Sequence, residues 1–463
     1  MKKHNHNIYK LIVCASLLLI THHTSLISAQ TLSLDSCLSL ARRNNVDIRT
    51  SQMEIDKAQA VKNQVFTKYF PQASLNGLGY MAADPLIRVG ISDVRSEDMR
   101  SLLEDLYELV SDDTDFKKEI DMMEYGLAVS ALVAQPIYAG GRIVTGNKLA
   151  KLGVEAAQLQ AEAKERDVIE NIESTYYLVV GLQQKVATVS AALSLIDSLD
   201  RTVQAALANG LVTRTDALQI QLKRNEMLAN QQQLTSGIRL AKRLLCCQIG
   251  IDYNESFNVD TLDVSMTRSL QKESRCLDIS MSRSLSSPSP SRPETRLLQL
   301  SVDAEQLQRR LTLGEALPQL SLVGIAFYGN LVKQTPSANA AVLLSLSVPL
   351  TAWWETSHKL KQHDISIQEA RIKQDYYNKM MSLEEEKAYS DMVDAALLIR
   401  SDSAALDLAQ ENYRLANLNY TAGANTINDV LQAQTLLLQA QNALTDRRIT
   451  YLVARRRLSD LQK

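Results

Sequence analysis

Two aspartates, Asp216 and Asp429, each stand six residues beyond a glycine, in the segments Gly210-Leu211-Val212-Thr213-Arg214-Thr215-Asp216 and Gly423-Ala424-Asn425-Thr426-Ile427-Asn428-Asp429. The carboxylate of Asp429 is suited to capping the first turn of the helix that follows, and that of Asp216 to an ordinary hydrogen bond at its turn. Catalytic chemistry is harder to assemble. Of six histidines, four lie in the first 29 residues; His358 and His363 remain, five apart and so on different faces of a helix. They build neither a nucleophile–histidine–acid set nor a metal site, since no cysteine stands near them. No pocket-forming pattern accompanies a carboxylate pair among the 52 acidic residues. The reading is therefore not an enzyme, with no cofactor and no metal.

The first 29 residues read as an export signal. Lys2 and Lys3 give a positive start, Leu11 to Ile20 is an apolar run, and Ile27-Ser28-Ala29 offers small residues for cleavage before Gln30. The run is too short to span a membrane, and Cys14 inside it follows Val13, a poor neighbour for lipidation. Beyond the signal stand Cys37, Cys246, Cys247 and Cys276. An exported chain meets an oxidising compartment, so a disulfide is open to them, but four cysteines in this length are no disulfide scaffold. Cys246 and Cys247 read as small apolar residues packed in a helix.

The formal net charge is -2, and a signal with three lysines and no acid makes the remainder more negative still. Nucleic-acid binding is not suggested. Hydrophobic residues are 45% and aromatic residues only 5%, which suits long helices better than a compact β-rich enzyme.

Proline divides the chain. None of the nine lies in 1–70, 137–287 or 350–463, so very long helices are allowed there. Helices are expected over 30–68, 141–208, 211–250, 294–315, 355–421 and 427–462. In the last, Val430, Ala433, Leu437, Ala440, Leu444, Tyr451, Leu458 and Leu461 follow the spacing of one packed face. No helix reads as apolar enough to span a membrane. Pro71, Pro136, Pro318 and Pro349 sit at the margins of apolar runs near 71–82, 125–137, 318–329 and 340–351, each long enough for a tilted strand to cross a bilayer.

The chain repeats itself. At an offset of 213, Pro136 matches Pro349, Tyr176 matches Tyr389, Gly210 matches Gly423, and Asp216-x-Leu218-Gln219-x-Gln221 matches Asp429-x-Leu431-Gln432-x-Gln434. The organisation is a signal at 1–29, a first repeat at 30–281, a Ser/Pro linker at 282–293 and a second repeat at 294–463. An insertion in the first hairpin makes a strongly acidic loop, 83–124, in which Leu102, Leu103, Leu106, Leu109 and Val110 suggest a short amphipathic helix. That loop reads as a solvated surface or as a contact site at the cell surface.

Four strands cannot close a membrane barrel, and open edges are costly in lipid. Helices of roughly 100 Å also need neighbours along their length. Both demands call for an oligomer.

Here the residues resemble a known family. Gln135-Pro136-Ile137-Tyr138-Ala139-Gly140-Gly141-Arg142, the degenerate repeat Val348-Pro349-Leu350-Thr351-Ala352-Trp353-Trp354 and the two glycine segments are similar to those of the TolC-like outer-membrane efflux proteins. The resemblance covers nearly the whole chain beyond the signal. It implies a mostly α protein with a membrane β-barrel: duplicated long-helix hairpins in a periplasmic α-barrel, and four strands per protomer in a twelve-stranded barrel of a homotrimer. It implies an exit duct for efflux or type I secretion, with a periplasmic adaptor, an inner-membrane pump of RND, ABC or MFS type, and outer-membrane lipid as partners.

It also implies residue roles. Gly210, Leu211, Gly423 and Thr426 would meet the adaptor. Asp429 would line the closed entrance, with Gln432 where the family often has a second acid, so that three-fold symmetry makes a weakly acidic ring. Asp216 and Tyr420, with Arg214 or Asn425, would hold the tips closed. Tyr138, Trp353 and Trp354 fit a membrane-interface belt, or else packing at the strand-to-helix joint. A structural or adhesive coiled-coil protein of the envelope would also explain signal, helices and repeat, but not the strands or the glycine turns.

Overall fold

The computed structural model describes residues 31–83, 87–90, 95–110, 119–122, 125–255, 257–260, 292–330 and 336–462. The expected signal, Cys276 and all but the last two residues of the Ser/Pro linker lie outside the described residues. The chain divides into two compact units, one of 55–157 and 298–373, the other of 1–54, 158–297 and 374–463.

The first of these holds a four-stranded antiparallel sheet. Its strands are β2 (Gln72–Met81), β5 (Tyr125–Ala139), β7 (Gln319–Gly329) and β8 (Ser337–Ser347), in the order β2-β5-β7-β8. Between β2 and β5 a short hairpin of β3 (Ile87–Gly90) and β4 (Glu119–Met122) carries the helix α3 (Glu97–Val110). The amphipathic helix expected in the acidic insertion is thus present, with Met99, Leu102 and Leu106 exposed. β8 ends at Ser347, four residues before the run read from the sequence does. Pro349 has no N–H to give the ladder, and Ser347 opposite Gln319 is its last pair.

Proline placement explains the other margin too. Pro136 lies inside β5, but β2 stops pairing at Gln72 opposite Ala134, so its missing N–H faces no partner on that side. A bulge follows between Pro136 and Tyr138. The register then sorts the side chains by face. Ala73, Leu75, Val129, Ala131, Val133, Leu320, Leu322, Val342, Leu344 and Leu346 share one face, which Tyr328 and Tyr138 continue at its two ends. Gln72, Ser74, Asn76, Ser130, Ser321, Asn339, Ser345 and Ser347 share the other. Period-two alternation, held in phase across three ladders, produces this separation.

The second unit is helical. Its elements are β1 (Thr31–Leu32), α1 (Leu34–Asn44), α5 (Arg214–Ile249), β6 (Asn258–Val259) and α8 (Ile427–Leu461). The helices α2 (Val46–Phe66), α4 (Arg142–Ala208), α6 (Pro293–Glu315) and α7 (Ala352–Thr421) run from one unit into the other. α4 has 67 residues and α7 has 70. At ~1.5 Å per residue each is about 100 Å long.

The helix expected over 30–68 is broken at Asn45. Its backbone is extended, its Oδ1 accepts the Ile48 N–H at 3.1 Å, and its Nδ2 donates to the Gln248 carbonyl at 2.6 Å. It therefore ends α1, starts α2 and ties both to α5.

Two hydrophobic clusters explain the long proline-free stretches. In one, Cys37 and Ala41 of α1 meet Ile172 and Val179 of α4, Leu245 and Ile249 of α5, and Val259. In the other, Val189, Ile196 and Val203 of α4 meet Ile220 of α5 and Ile427 and Val430 of α8. The seven-residue spacing of the α4 members is that of a coiled-coil seam. Each fully buried isoleucine contributes roughly 1.5–3 kcal/mol. One expectation needs correction here. α4 does contain an 18-residue window apolar enough, by length and composition, to cross a membrane. Of that window, 39% is buried inside the protein.

Candidate functional site: two capped helical turns

The two glycine segments join α4 to α5 and α7 to α8, and their backbones are bonded alike. At the first turn Leu211 N–H donates to Ala206 O at 2.9 Å and Gly210 N–H to Leu207 O at 3.0 Å. At the second, Ala424 N–H donates to Asn419 O at 2.8 Å and Gly423 N–H to Tyr420 O at 3.0 Å. This is a Schellman ending, which needs a left-handed residue. Gly210 has φ 72 and Gly423 has φ 75. Nothing lies within 4 Å of a β-carbon built on either, so conformation, not space, selects glycine.

The restart of each helix is also shared. Thr213 accepts the Asp216 N–H on its Oγ1 at 3.3 Å, while Asp216 Oδ2 accepts Thr213 N–H at 3.0 Å and its hydroxyl at 2.7 Å. Thr426 and Asp429 repeat the arrangement at 3.4, 2.8 and 2.7 Å. Both are complete capping boxes. The hydrogen bonds from Thr426 hold the Asp429 carboxyl below the usual carboxylate range. The capping role is therefore direct for both aspartates. Thr213 and Thr426 as caps were missed by the sequence reading, although the T-x-x-D spacing carries that signal.

Asp429 and Gln432 are both exposed, one turn apart, while Ile427, Val430 and Leu431 between and beside them are buried. Gly210, Leu211, Gly423 and Thr426 are exposed as well. Tyr420 is half-buried against the cluster of Val189 and Ile427. Burial and then the Asp216 carboxylate push its hydroxyl up. Arg214 is exposed and Asn425 half-buried. Trp353, Trp354 and Tyr138 are 50%, 77% and 49% exposed.

A buried contact not foreseen lies deeper along the same helices. Gln434 is buried and donates its Nε2 to the Ala192 carbonyl at 3.0 Å, linking α8 to α4. Its counterpart at the 213 offset, Gln221, is exposed. His363 Nε2 lies 3.0 Å from Thr312 Oγ1, an ordinary helix-to-helix contact.

No family model and no curated protein matches the chain. Solved structures do. The chain has the fold of the TolC-like outer-membrane channels. It is similar to the outer membrane protein VceC from Vibrio cholerae, with 16% identity, TM-score 0.70 and coverage of 92% of this chain and 95% of that one. It is similar to the Campylobacter jejuni CmeC outer membrane channel, with 17% identity, TM-score 0.68 and coverage of 91% and 83%. Crystal structures of CusC, which concern transmembrane channel formation, match with 14% identity, TM-score 0.72 and coverage of 93% and 91%.

Proposed function

We propose that the chain is the outer-membrane exit duct of an efflux or type I secretion system. Three copies give four strands each to a twelve-stranded barrel in the outer membrane, and their long helices form a periplasmic tunnel. An inner-membrane pump and a periplasmic adaptor complete the path, with the adaptor meeting the turns at Gly210, Leu211, Gly423 and Thr426. In the ring, Asp429 of three protomers stands at the narrow entrance and Gln432 one turn behind it. Asp216 and Tyr420, with Arg214 and Asn425 beside them, steady the turns.

The observation that carries this reading is the sheet. Its edge strands β2 and β8 each pair on one side only, and a band of apolar residues, interrupted by Gln135 near one end, covers one of its faces. Open edges beside lipid are tolerated only when other strands close them. Neighbouring copies supply β2 for β8. An envelope coiled-coil protein has no need of this surface.

The test is extraction of outer membranes in mild detergent and light scattering with detergent subtracted. A mass of three chains is expected. A monomer found only in the soluble periplasmic fraction overturns the reading.

A further inference from the structure

None of the strands β2, β5, β7 and β8 contains an aspartate, glutamate, lysine, arginine or histidine. For the apolar face this is what a lipid contact requires. The opposite face has no such requirement, because a water-filled lumen accepts charges freely. Yet the register gives it only hydroxyl, amide, aromatic and aliphatic groups. Asn76 and Ser130 pair across one ladder, Ser321 and Ser345 across another, and between them stand Leu132, Ile325, Val323 and Leu343. This face is also the less accessible of the two in β5: Ala128 is buried and Ser130 and Leu132 half-buried, whereas Leu127, Val129 and Val133 are exposed.

We propose that this polar face is a charge-neutral lining that passes amphiphilic cargo of either charge sign and selects none by charge. The proposal rests on the duct reading above, in which the apolar face meets lipid and the polar face meets the lumen. A fixed charge ring attracts one sign and repels the other. Where no fixed charge lines the wall, permeant ions of both signs meet the same hydroxyl and amide dipoles, which reorient to either. Nor does the lining titrate between pH 5 and 8, since it has no histidine and no acid. The interspersed aliphatic groups leave room for apolar parts of a cargo without an ion pair to hold it. Selection by charge must then be made elsewhere along the path.

The test places a charge on this face after assembly. The Ser130→Cys protein, in an Asp429→Ala background that removes the proposed entrance ring, is purified as the full chain, inserted in planar bilayers under a KCl gradient, and treated with a cationic and separately with an anionic thiosulfonate reagent. The Asp429→Ala chain without Ser130→Cys receives the same reagents, which accounts for the exposed Cys247. The K+/Cl− permeability ratio should fall with the cationic reagent and rise with the anionic one, by similar factors. A ratio unmoved by either reagent overturns the proposal, because Ser130 then does not line the ion path. A large change with one sign only also overturns it, because a fixed charge already dominates there. If no variant and no unsubstituted chain forms channels, the duct reading itself fails, which is a different result. Val129→Cys on the apolar face should leave the ratio unchanged with both reagents.

Discussion

Gly140 and Gly314 lie backbone against backbone, so that a β-carbon on Gly314 would stand 2.6 Å from the Gly140 carbonyl oxygen. Gly140 also has φ 60, and a β-carbon on it would strike the Gly314 carbonyl in turn. The pair brings the end of β5 against the end of α6, so the strand-to-helix corner depends on two missing side chains.

That closeness separates two neighbouring glycines. Gly141 has φ 73 but open space around its β-position. Gly141→Ala should cost only the left-handed conformation, roughly 1–2 kcal/mol. Gly140→Ala should cost that and the displacement of α6. Thermal melting of the two purified variants checks this; equal losses would remove the close approach as a source of stability.

The caps give a pH signature. Asp429 is held below its ordinary value of 3.8 by Thr426. A lowered folded pKa contributes stability above the unfolded pKa, and that contribution is lost as pH falls through the lower folded value. Relative to intrinsic rates, protection against amide exchange at the start of α8 should therefore fall as pH drops below about 4. In Thr426→Ala the amides should exchange fast at neutral pH already, while Thr426→Ser keeps them slow.

The same aspartate tests the entrance. Asp429→Ala should weaken cation block of single-channel current, and so should Asp429→Asn, which removes the charge but keeps a polar side chain at the cap. Block that is unchanged in Asp429→Ala would take this carboxylate out of the pore.

At the turns, side chains can be added without collision. Gly210→Leu or Gly423→Leu should leave the assembled protein intact on detergent sizing and impair export in cells. Export surviving both changes would mean that the turns do not meet the adaptor.

In the core, Ile196 is 1% exposed between α4, α5 and α8. Ile196→Ala should cost about 2–5 kcal/mol, read as a lowered midpoint of denaturation. An exposed neighbour, Leu195→Ala, should cost far less.

Much of this was legible in the sequence, for physical reasons that differ by element. Val430, Ala433, Leu444, Tyr451 and Leu458 are all buried as their spacing implied, because a helix in a seam fixes its face by period alone. Glycine at 210 and 423 announced left-handed turns. Asn45 was not legible as a break, because the bond to Gln248 that ties it down comes from a part of the chain about 200 residues away. The end of β8 was misplaced since alternation continues through Val348 and Leu350 after the ladder has stopped. The packing of Tyr420 against the cluster of α4, α5 and α8 required knowing how two hairpins pack, which no local pattern encodes.

The half-paired strands β2 and β8 have a genetic consequence. In the proposed ring of three, every defective copy is built into an assembly with sound ones. A cell making normal and faulty chains in equal amounts would form only about one eighth of its rings wholly from normal chains, if copies mix at random. Substitutions that spare the strand edges but spoil the turns should thus behave as dominant alleles, whereas those that destroy the edges exclude themselves and stay recessive.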